Sequence, residues 1–274
     1  MTINCKGTLV DLSTPKVMGI LNVTPDSFYD GGKYKDKSTL LLQVEDMINA
    51  GATFIDVGAY SSRPGAHHIT VDEELQRILP IVELLLKEFP NIYLSIDTFR
   101  SKVAAHCIEM GACLINDISG GCMDDQMLPT IGRLKVPYVM MHMIDTPQTM
   151  MEHTQYEDLL KEMIFYFSQR IKEARKHQIT DIIIDPGFGF SKTLDQNYKL
   201  LNNLELLNIL EQPILVGASR KSMIYKLFDS SPNEALNGTT IINTIALLKG
   251  AKILRVHDAK EAMECITITN QLLP

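Results

Sequence analysis

The sequence lacks the features expected of a membrane, secreted or nucleic-acid-binding protein. No apolar run approaches the roughly 18 residues that span a bilayer, and the N-terminal stretch does not resemble a signal peptide. The net charge of −7 argues against a general nucleic-acid binder. It leaves an anionic small substrate open, because a few local basic side chains can reverse the field inside a cleft.

The sequence is also poor in organised cysteine. Its five cysteines are scattered and odd in number, and they form no C-x-x-C pair: Cys5, Cys107, Cys113, Cys122 and Cys265. This pattern favours a reduced, cytoplasmic protein without structural disulfides or a cysteine zinc site.

Two phosphate-binding loops are excluded by a single missing glycine each. The stretch DIIIDPGFGFSKT, residues 181–193, contains Gly187, Gly189 and a Lys-Thr pair. A P-loop needs glycine where Ser191 stands, and a dinucleotide fingerprint needs a third glycine where Lys192 stands. The buried-looking strand must therefore end in Asp185 for another reason, since a lone buried carboxylate requires a partner.

What the sequence does contain is a regular alternation of short apolar runs and amphipathic segments. Eight apolar runs start at residues 17, 53, 92, 113, 137, 181, 213 and 251. Predicted helices lie between them, at 40–50, 73–88, 102–110, 157–176, 195–210 and 233–249. The alternation of eight strands with helices predicts one α/β domain over residues 1–274. This domain is a (β/α)₈ barrel preceded by a short β-hairpin within residues 3–16. A doubly wound sheet is the alternative.

Almost every predicted strand ends in a polar or charged residue. In a barrel these ends meet on one rim, where active sites lie. Acids at Asp97 and Asp185 would face bases at Arg63, Lys221 and Arg255. Such a rim suits a ligand with a polar, partly basic ring at one end and an anion at the other.

No cluster has the ligand spacing of a zinc site. Any metal is expected to be Mg²⁺, held through substrate phosphates and one or two oxygen ligands. His142 is open to two interpretations, a rim residue or a core histidine.

Seven motifs in order resemble the dihydropteroate synthases of folate biosynthesis, a family of pterin-binding barrels. They are GILNVTPDSFYDGG, SSRPG, SIDTFR, NDISGG, DPGFGF, GASRKS and RVHD, and they extend over about residues 17–258. The resemblance implies a (β/α)₈ barrel that joins 6-hydroxymethyl-7,8-dihydropterin diphosphate to 4-aminobenzoate. It further implies Mg²⁺ as cofactor and a homodimer.

The resemblance also implies roles for particular residues. Those for the pterin are Asp97, Asn116, Met140, Asp185 and Lys221. Those for the diphosphate are Asn22, Ser62, Arg63, Arg255 and His257, with Asn22 as metal ligand. Those for 4-aminobenzoate are Ser62, Pro64, Phe190 and Ser222, and the catalytic set is Asp97, Lys221, Arg255 and His257.

Three departures from the family pattern stand out. The second loop reads Ala-Tyr-Ser-Ser-Arg-Pro-Gly, so Tyr60 replaces a glutamate and Ser62 a threonine. Tyr29 replaces a common serine, and MHMIDTP lacks the usual Arg-Gly after the strand-five methionine. Two alternatives remain: a methyltransferase that uses a methylated folate, and a pterin-binding protein without catalysis.

Overall fold

A computed structural model describes residues 1–23, 34–61 and 68–272. Within them lie ten strands: β1 Thr2–Cys5, β2 Thr8–Asp11, β3 Lys16–Asn22, β4 Phe54–Gly58, β5 Tyr93–Asp97, β6 Leu114–Asp117, β7 Tyr138–Met141, β8 Ile182–Asp185, β9 Ile214–Val216 and β10 Ala251–Val256.

The helices follow the strands in alternation. In the same ranges they are α1 Tyr34–Asn49, α2 Val71–Glu88, α3 Ser101–Met110, α4 Met127–Leu134, α5 Leu159–Lys176, α6 Leu194–Asn202, α7 Ser222–Tyr225, α8 Leu236–Leu248 and α9 Ala259–Thr269. None of these helices is both long and apolar enough to cross a membrane.

Strands β3 to β10 close into a parallel barrel in sequence order. The closing pair is β10 with β3, where Leu254 pairs with Val17 and Arg255 with Met18. The eight predicted strands are thereby confirmed, and the doubly wound alternative is wrong because the sheet has no open edge. The predicted hairpin is β1–β2, an antiparallel pair joined through Gly7 at φ +82°.

The hairpin covers the N-terminal end of the barrel. Its apolar side chains pack against inward-facing residues from seven strands, and we call this cluster the floor: Ile3, Cys5, Val10, Leu12, Met18, Phe54, Cys113, Leu114, Val139, Ile183, Leu215 and Ile253. The larger core cluster combines the strand residues that face outward with the apolar faces of the helices that cover them. The barrel interior is therefore packed shut at this end.

Polar side chains begin two residues above the floor. Because side chains alternate along a strand, the next inward positions are fixed by the floor residues. They are Ile20, Asp56, Ser95, Asn116, Met141, Asp185, Gly217 and Arg255. Five of the eight are polar. We call this set, together with Asp97 at the next inward position of β5, the upper layer, and it lies toward the C-terminal ends of the strands.

Some helices differ from the predictions in their boundaries or were not predicted at all. The predicted helix 195–210 is divided at Asn203 into α6 and a 3₁₀ segment, Leu204–Leu210. Helices α4, α7 and α9 were not predicted; α4 contains both proline and glycine, and α7 is a single turn. Thr70 caps α2 by accepting a hydrogen bond from Glu73 N at 3.2 Å.

Candidate active site

Asp56 is the most buried carboxylate of the upper layer, at 1% exposed. Its Oδ1 accepts a hydrogen bond from the Ser95 hydroxyl at 2.5 Å, and its Oδ2 accepts one from the Asn116 amide at 3.0 Å. The three residues lie on the adjacent strands β4, β5 and β6. Parallel pairing thus brings distant sequence positions into one network.

Arg255 joins a second acid, Asp97, to this network. Its Nε donates to Asp56 Oδ2 at 2.6 Å, and its Nη2 donates to Asp97 Oδ2 at 2.6 Å. The guanidinium side chain keeps 18% of its surface exposed. A planar cation with several donors can hold both carboxylates and still face a ligand.

Asp97 is poised to exchange a proton near neutrality. Burial, assisted by the negative charge of Asp56, raises the pKa of Asp97 to about 7, although Arg255 opposes the shift. The protonation state of this acid will therefore respond to a charged ligand placed beside it.

Asp185 and Lys221 add a second pair of opposite charges. Burial raises the pKa of Asp185, and Lys221 opposes that shift. Burial lowers the pKa of Lys221 to about 8, while Asp185 opposes it. The Lys221 ammonium donates to Phe188 O at 2.5 Å and lies 4.6 Å from the ring centroid of Phe190.

Two glycines keep space open beside these acids. A Cβ at Gly217 would lie 3.8 Å from Asp185 Oδ2 and equally close to Arg255 Cδ. A Cβ at Gly58 would lie 3.2 Å from Asp97 Cβ. Larger side chains at either position would fill the volume next to the charged groups.

Side chains of neighbouring residues on a strand point to opposite faces of the barrel wall. Asn116 faces Asp56, whereas Asp117 faces outward and accepts the Tyr138 hydroxyl at 2.6 Å. In the same way, Met140 packs into the cluster facing the helices, and Met141 joins the rim residues around Phe190. The expected ring contact at Met140 therefore needs correction, because alternation along β7 points that side chain away from the rim; Met141 occupies the inward position.

The remaining expected site residues lie around the mouth of the barrel. Asn22 and His257 are exposed at the ends of β3 and β10, and Ser222 is half-buried at the start of α7. The Ser219 hydroxyl lies 3.0 Å from His257 Nδ1. Ser62, Arg63, Pro64 and Tyr29 lie outside the described residues.

Tyr60, the departure from the family's glutamate, has its own partners. Its ring lies edge-on to Phe99 with centroids 5.0 Å apart, and the Arg100 guanidinium carbon is 5.3 Å from its centroid. Arg100 takes a carboxylate from α2 instead, through a 2.6 Å bond to Glu74. The tyrosine hydroxyl contacts His68 Nδ1 at 3.2 Å, so an aromatic contact and a neutral hydrogen bond occupy this position.

Several residues of the site were missed by the sequence analysis. Asp56 and Ser95 lie inside apolar runs, where a single polar residue is a weaker signal than one at the end of a strand. A signal was present, since Asp56 follows the apolar Phe54 at a spacing of two. His142 is 2% exposed and packs against the rings of Tyr156 and Tyr166, which makes it a core histidine.

Comparison with known proteins adds a family to this geometry. The family described as pterin binding enzyme matches residues 18–257. The dihydropteroate synthase of Escherichia coli K12 is 42% identical over 275 residues, covering 100% of this chain and 97% of the relative. The chain belongs to the pterin-binding enzyme family.

Solved structures agree with that assignment. A dihydropteroate synthase from Yersinia pestis, crystallised with a sulfonamide drug complex, superimposes with a TM-score of 0.92 at 40% identity, with 99% of each chain covered. One from Xanthomonas albilineans with 4-aminobenzoic acid gives a TM-score of 0.90 at 34% identity, covering 100% of this chain and 99% of that one.

The full-length similarity gives this chain the function of a dihydropteroate synthase, a transferase of folate biosynthesis. It favours that function over the two alternatives left open by the sequence, a methyltransferase and a pterin-binding protein without catalysis.

Proposed function

We propose that the upper layer binds the pterin diphosphate and that the chain joins it to 4-aminobenzoate, releasing diphosphate and 7,8-dihydropteroate. In this reaction the bond from the pterin methylene carbon to the diphosphate oxygen breaks. A bond from that carbon to the arylamine nitrogen forms, and the amine loses a proton. The observation that carries the proposal is the convergence of three carboxylates and two cations at one end of the barrel.

The pterin ring is assigned to Asp185, Asn116 and Lys221, with Met141 beside it. A pterin presents a guanidine-like edge with adjacent N–H donors, and a buried carboxylate can accept both. Asp185 Oδ1 already accepts Gly187 N at 2.7 Å, and Oδ2 faces the space left by Gly217. Binding would thus offset the desolvation that raises the pKa of Asp185.

The diphosphate is assigned to Arg255, His257 and Asn22, together with Arg63 and Ser62. As the carbon–oxygen bond breaks, negative charge grows on the leaving group, and cationic donors stabilise it most at that moment. Arg255 keeps its guanidinium oriented through Asp56 and Asp97 while part of it remains exposed. This orientation is available before the substrate arrives, which favours the transition state over the ground state.

The residues present at the mouth also fit Mg²⁺. Asn22 offers an amide oxygen, the hard ligand that this ion accepts, and diphosphate oxygens would complete its shell. No cluster of three or more acidic, histidine or cysteine side chains suited to a metal occurs in the described ranges, so the substrate would carry most ligands. Bound Mg²⁺ would neutralise charge on the leaving diphosphate.

Asp97 is assigned to the developing positive charge of the pterin. Once diphosphate leaves, the methylene carbon and the ring share a positive charge, and an ionised carboxylate close by stabilises it. A pKa near 7 in the ligand-free site means that a cation will drive the acid to its ionised form.

The second substrate is assigned to the mouth, between Phe190, Ser222, Ser62 and Pro64. Phe190 offers an aromatic face held by Lys221. The Xanthomonas albilineans structure with 4-aminobenzoic acid supports a site for this ligand on the shared fold.

The assay that tests the proposal measures diphosphate and dihydropteroate together. With both substrates and Mg²⁺, the two products should appear in equal amounts, and omission of 4-aminobenzoate should abolish dihydropteroate. Failure to form dihydropteroate with the correctly folded protein would overturn the proposed function.

We further propose that residues 1–274 act as one domain in a cytoplasmic homodimer. The five cysteines are free thiols, which supports a reducing compartment.

Leu227, Phe228 and Ile241 are 52%, 67% and 51% exposed, and Phe228 lies beside α8. This apolar surface supports self-association. Sedimentation should give a dimer for the wild type and a monomer for Phe228→Glu, whereas a monomeric wild type would contradict the proposal.

A further inference from the structure

Lys192 is a buried lysine for which the proposed reaction has no role. It is 2% exposed. Its ammonium contacts three acceptors: Phe190 O at 2.9 Å, Gly187 O at 3.1 Å and His142 Nδ1 at 3.1 Å. A lysine ammonium has three donors, so each one is matched. Burial lowers the pKa of Lys192 to about 7, and the charge of Asp185 opposes that shift. A lysine buried with a complete set of partners indicates a fixed geometry, since burial without them would be very unfavourable.

The two carbonyls belong to the turn that follows β8, residues 186–191. The turn uses the left-handed region at Gly187, Gly189 and Ser191, with φ of +68°, +80° and +50°. Carbonyls of such a turn have no sheet or helix partners along most of its length. Gly187 O accepts Phe190 N at 3.1 Å within the turn. The Lys192 ammonium is a second donor to Gly187 O and also donates to Phe190 O, so it joins the two ends of the turn and stabilises its shape.

The same turn supports both charged groups assigned to the pterin. Gly187 N donates to Asp185 Oδ1 at 2.7 Å. Phe188 O accepts the Lys221 ammonium at 2.5 Å, and the ring of Phe190 lies beneath that ammonium. A change in the turn would therefore move the partners of Asp185 and Lys221 at once.

A second attachment joins the turn to the segment after β7. The Ser191 hydroxyl accepts Ile144 N at 2.9 Å and donates to Ile144 O at 3.1 Å. A charged Lys192 can only donate, so His142 Nδ1 is then the acceptor and the ring proton lies on Nε2. Burial, assisted by the charge of Lys192, holds the pKa of His142 well below its usual range, which keeps this acceptor available.

From this geometry we propose that Lys192 is a positioning residue for the pterin site. It acts through the turn, fixing Gly187 N against Asp185 and Phe188 O against Lys221, and does not itself touch substrate. The inference rests on the proposed function, because it assigns Asp185 and Lys221 to the pterin. It predicts that loss of the buried ammonium weakens pterin binding beyond any effect on stability.

The test compares Lys192→Met with wild type by calorimetric titration of 6-hydroxymethyl-7,8-dihydropterin. Methionine keeps most of the side-chain volume and removes all donors. We expect pterin affinity in the folded protein to fall about 10- to 100-fold, the equivalent of one charge-assisted hydrogen bond. Lys192→Gln, which keeps two donors without charge, should lose less, and it decides the question if the methionine variant does not fold.

Val82→Ala is the matched control, because Val82 is fully buried in α2 and far in sequence from the turn. It should lower the melting temperature and leave pterin affinity unchanged. Added methylamine should partly restore affinity to Lys192→Ala, where a space is left, and not to Lys192→Met. Affinity of both Lys192→Met and Lys192→Gln within twofold of wild type would overturn the inference, as would an equal loss in Val82→Ala. A wild type that fails to bind the pterin would instead overturn the proposed function, and the inference with it.

Discussion

The floor and the upper layer are built by the same strands and have opposite chemistry. On β8, Ile183 belongs to the apolar floor, and Asp185 belongs to the upper layer, two residues further along the strand. On β4 the same step leads from Phe54 to Asp56. Position along a strand, rather than the choice of strand, therefore separates the residues that pack the barrel from those that face a ligand.

The two layers also differ in what burial does to them. Full burial of a large apolar side chain such as Phe54 contributes about 1.5–3 kcal/mol. Burial of a carboxylate is unfavourable unless it is paired, and the raised pKa values of Asp97 and Asp185 record that strain. The buried acids of the upper layer thus lower stability where the floor residues raise it, as expected of a binding site.

Truncation in the floor should produce the largest loss of stability. Phe54→Ala removes a fully buried ring that lies 6.0 Å from the ring of Tyr93. We expect the free energy of unfolding to fall by about 3–5 kcal/mol, measured by denaturant titration. Pterin affinity of the remaining folded protein should not change. A parallel loss of affinity would remove the distinction between the layers.

Removal of Arg255 should produce the largest loss of turnover. Arg255→Ala takes away a donor to the leaving group, and such donors contribute about 100- to 1,000-fold in rate. It also leaves Asp56 and Asp97 without their shared counter-ion, so the melting temperature should fall as well. Saturating kinetics corrected for the folded fraction separate the two effects. A normal turnover number would reduce Arg255 to a scaffold residue.

The pH dependence of the free energy of unfolding should reveal that burial of the ionised Asp97 carboxylate is unfavourable. Its folded-state pKa is above the unfolded value, so the native state binds the extra proton between about pH 4 and 7, and stability falls as pH rises through this window. Asp97→Asn removes this contribution. Its stability relative to wild type should improve by at most about 1.4 kcal/mol per pH unit and level off above pH 7.

Denaturant unfolding at pH 5, 6, 7 and 8 measures that difference. The exposed Asp195 of α6 offers a matched Asp→Asn control, which should not show the same trend. A difference between Asp97→Asn and wild type that stays constant from pH 5 to 8 would contradict the assignment.

The barrel could be predicted from sequence because its signals are local and repeated. Each buried parallel strand is a short apolar run, and three helix–strand junctions carry Gly-Ala, with φ of +98°, +120° and +99° at Gly51, Gly111 and Gly250. Helix α4 could not be predicted in the same way because it contains proline and glycine, and α7 is a single turn. Helix α9 follows the last apolar run and so lies outside the alternation on which the helix predictions rest.

The site was predictable at strand ends and less so within strands. Asp97 and Asp185 end their strands, and Asn116 is the next-to-last residue of β6, so these polar residues are conspicuous. Asp56 is hidden in an apolar run. Met140 was expected from the family resemblance, and two adjacent methionines do not reveal which of them faces inward. Only pairing with β8, where Met141 lies opposite Asp185, fixes which of them faces inward.

The most direct test of the two-layer account uses one strand and one face. Ile183 and Asp185 lie two residues apart on β8 with their side chains on the same face. Ile183→Val and Asp185→Asn can each be titrated with 6-hydroxymethyl-7,8-dihydropterin and melted in the same buffer. We expect Asp185→Asn to lose about 1.5–3 kcal/mol of pterin binding after correction for the folded fraction, whatever the change in its melting temperature. Ile183→Val should lose about 0.5–1.5 kcal/mol of stability and keep wild-type affinity. Unchanged pterin affinity in Asp185→Asn would contradict the account.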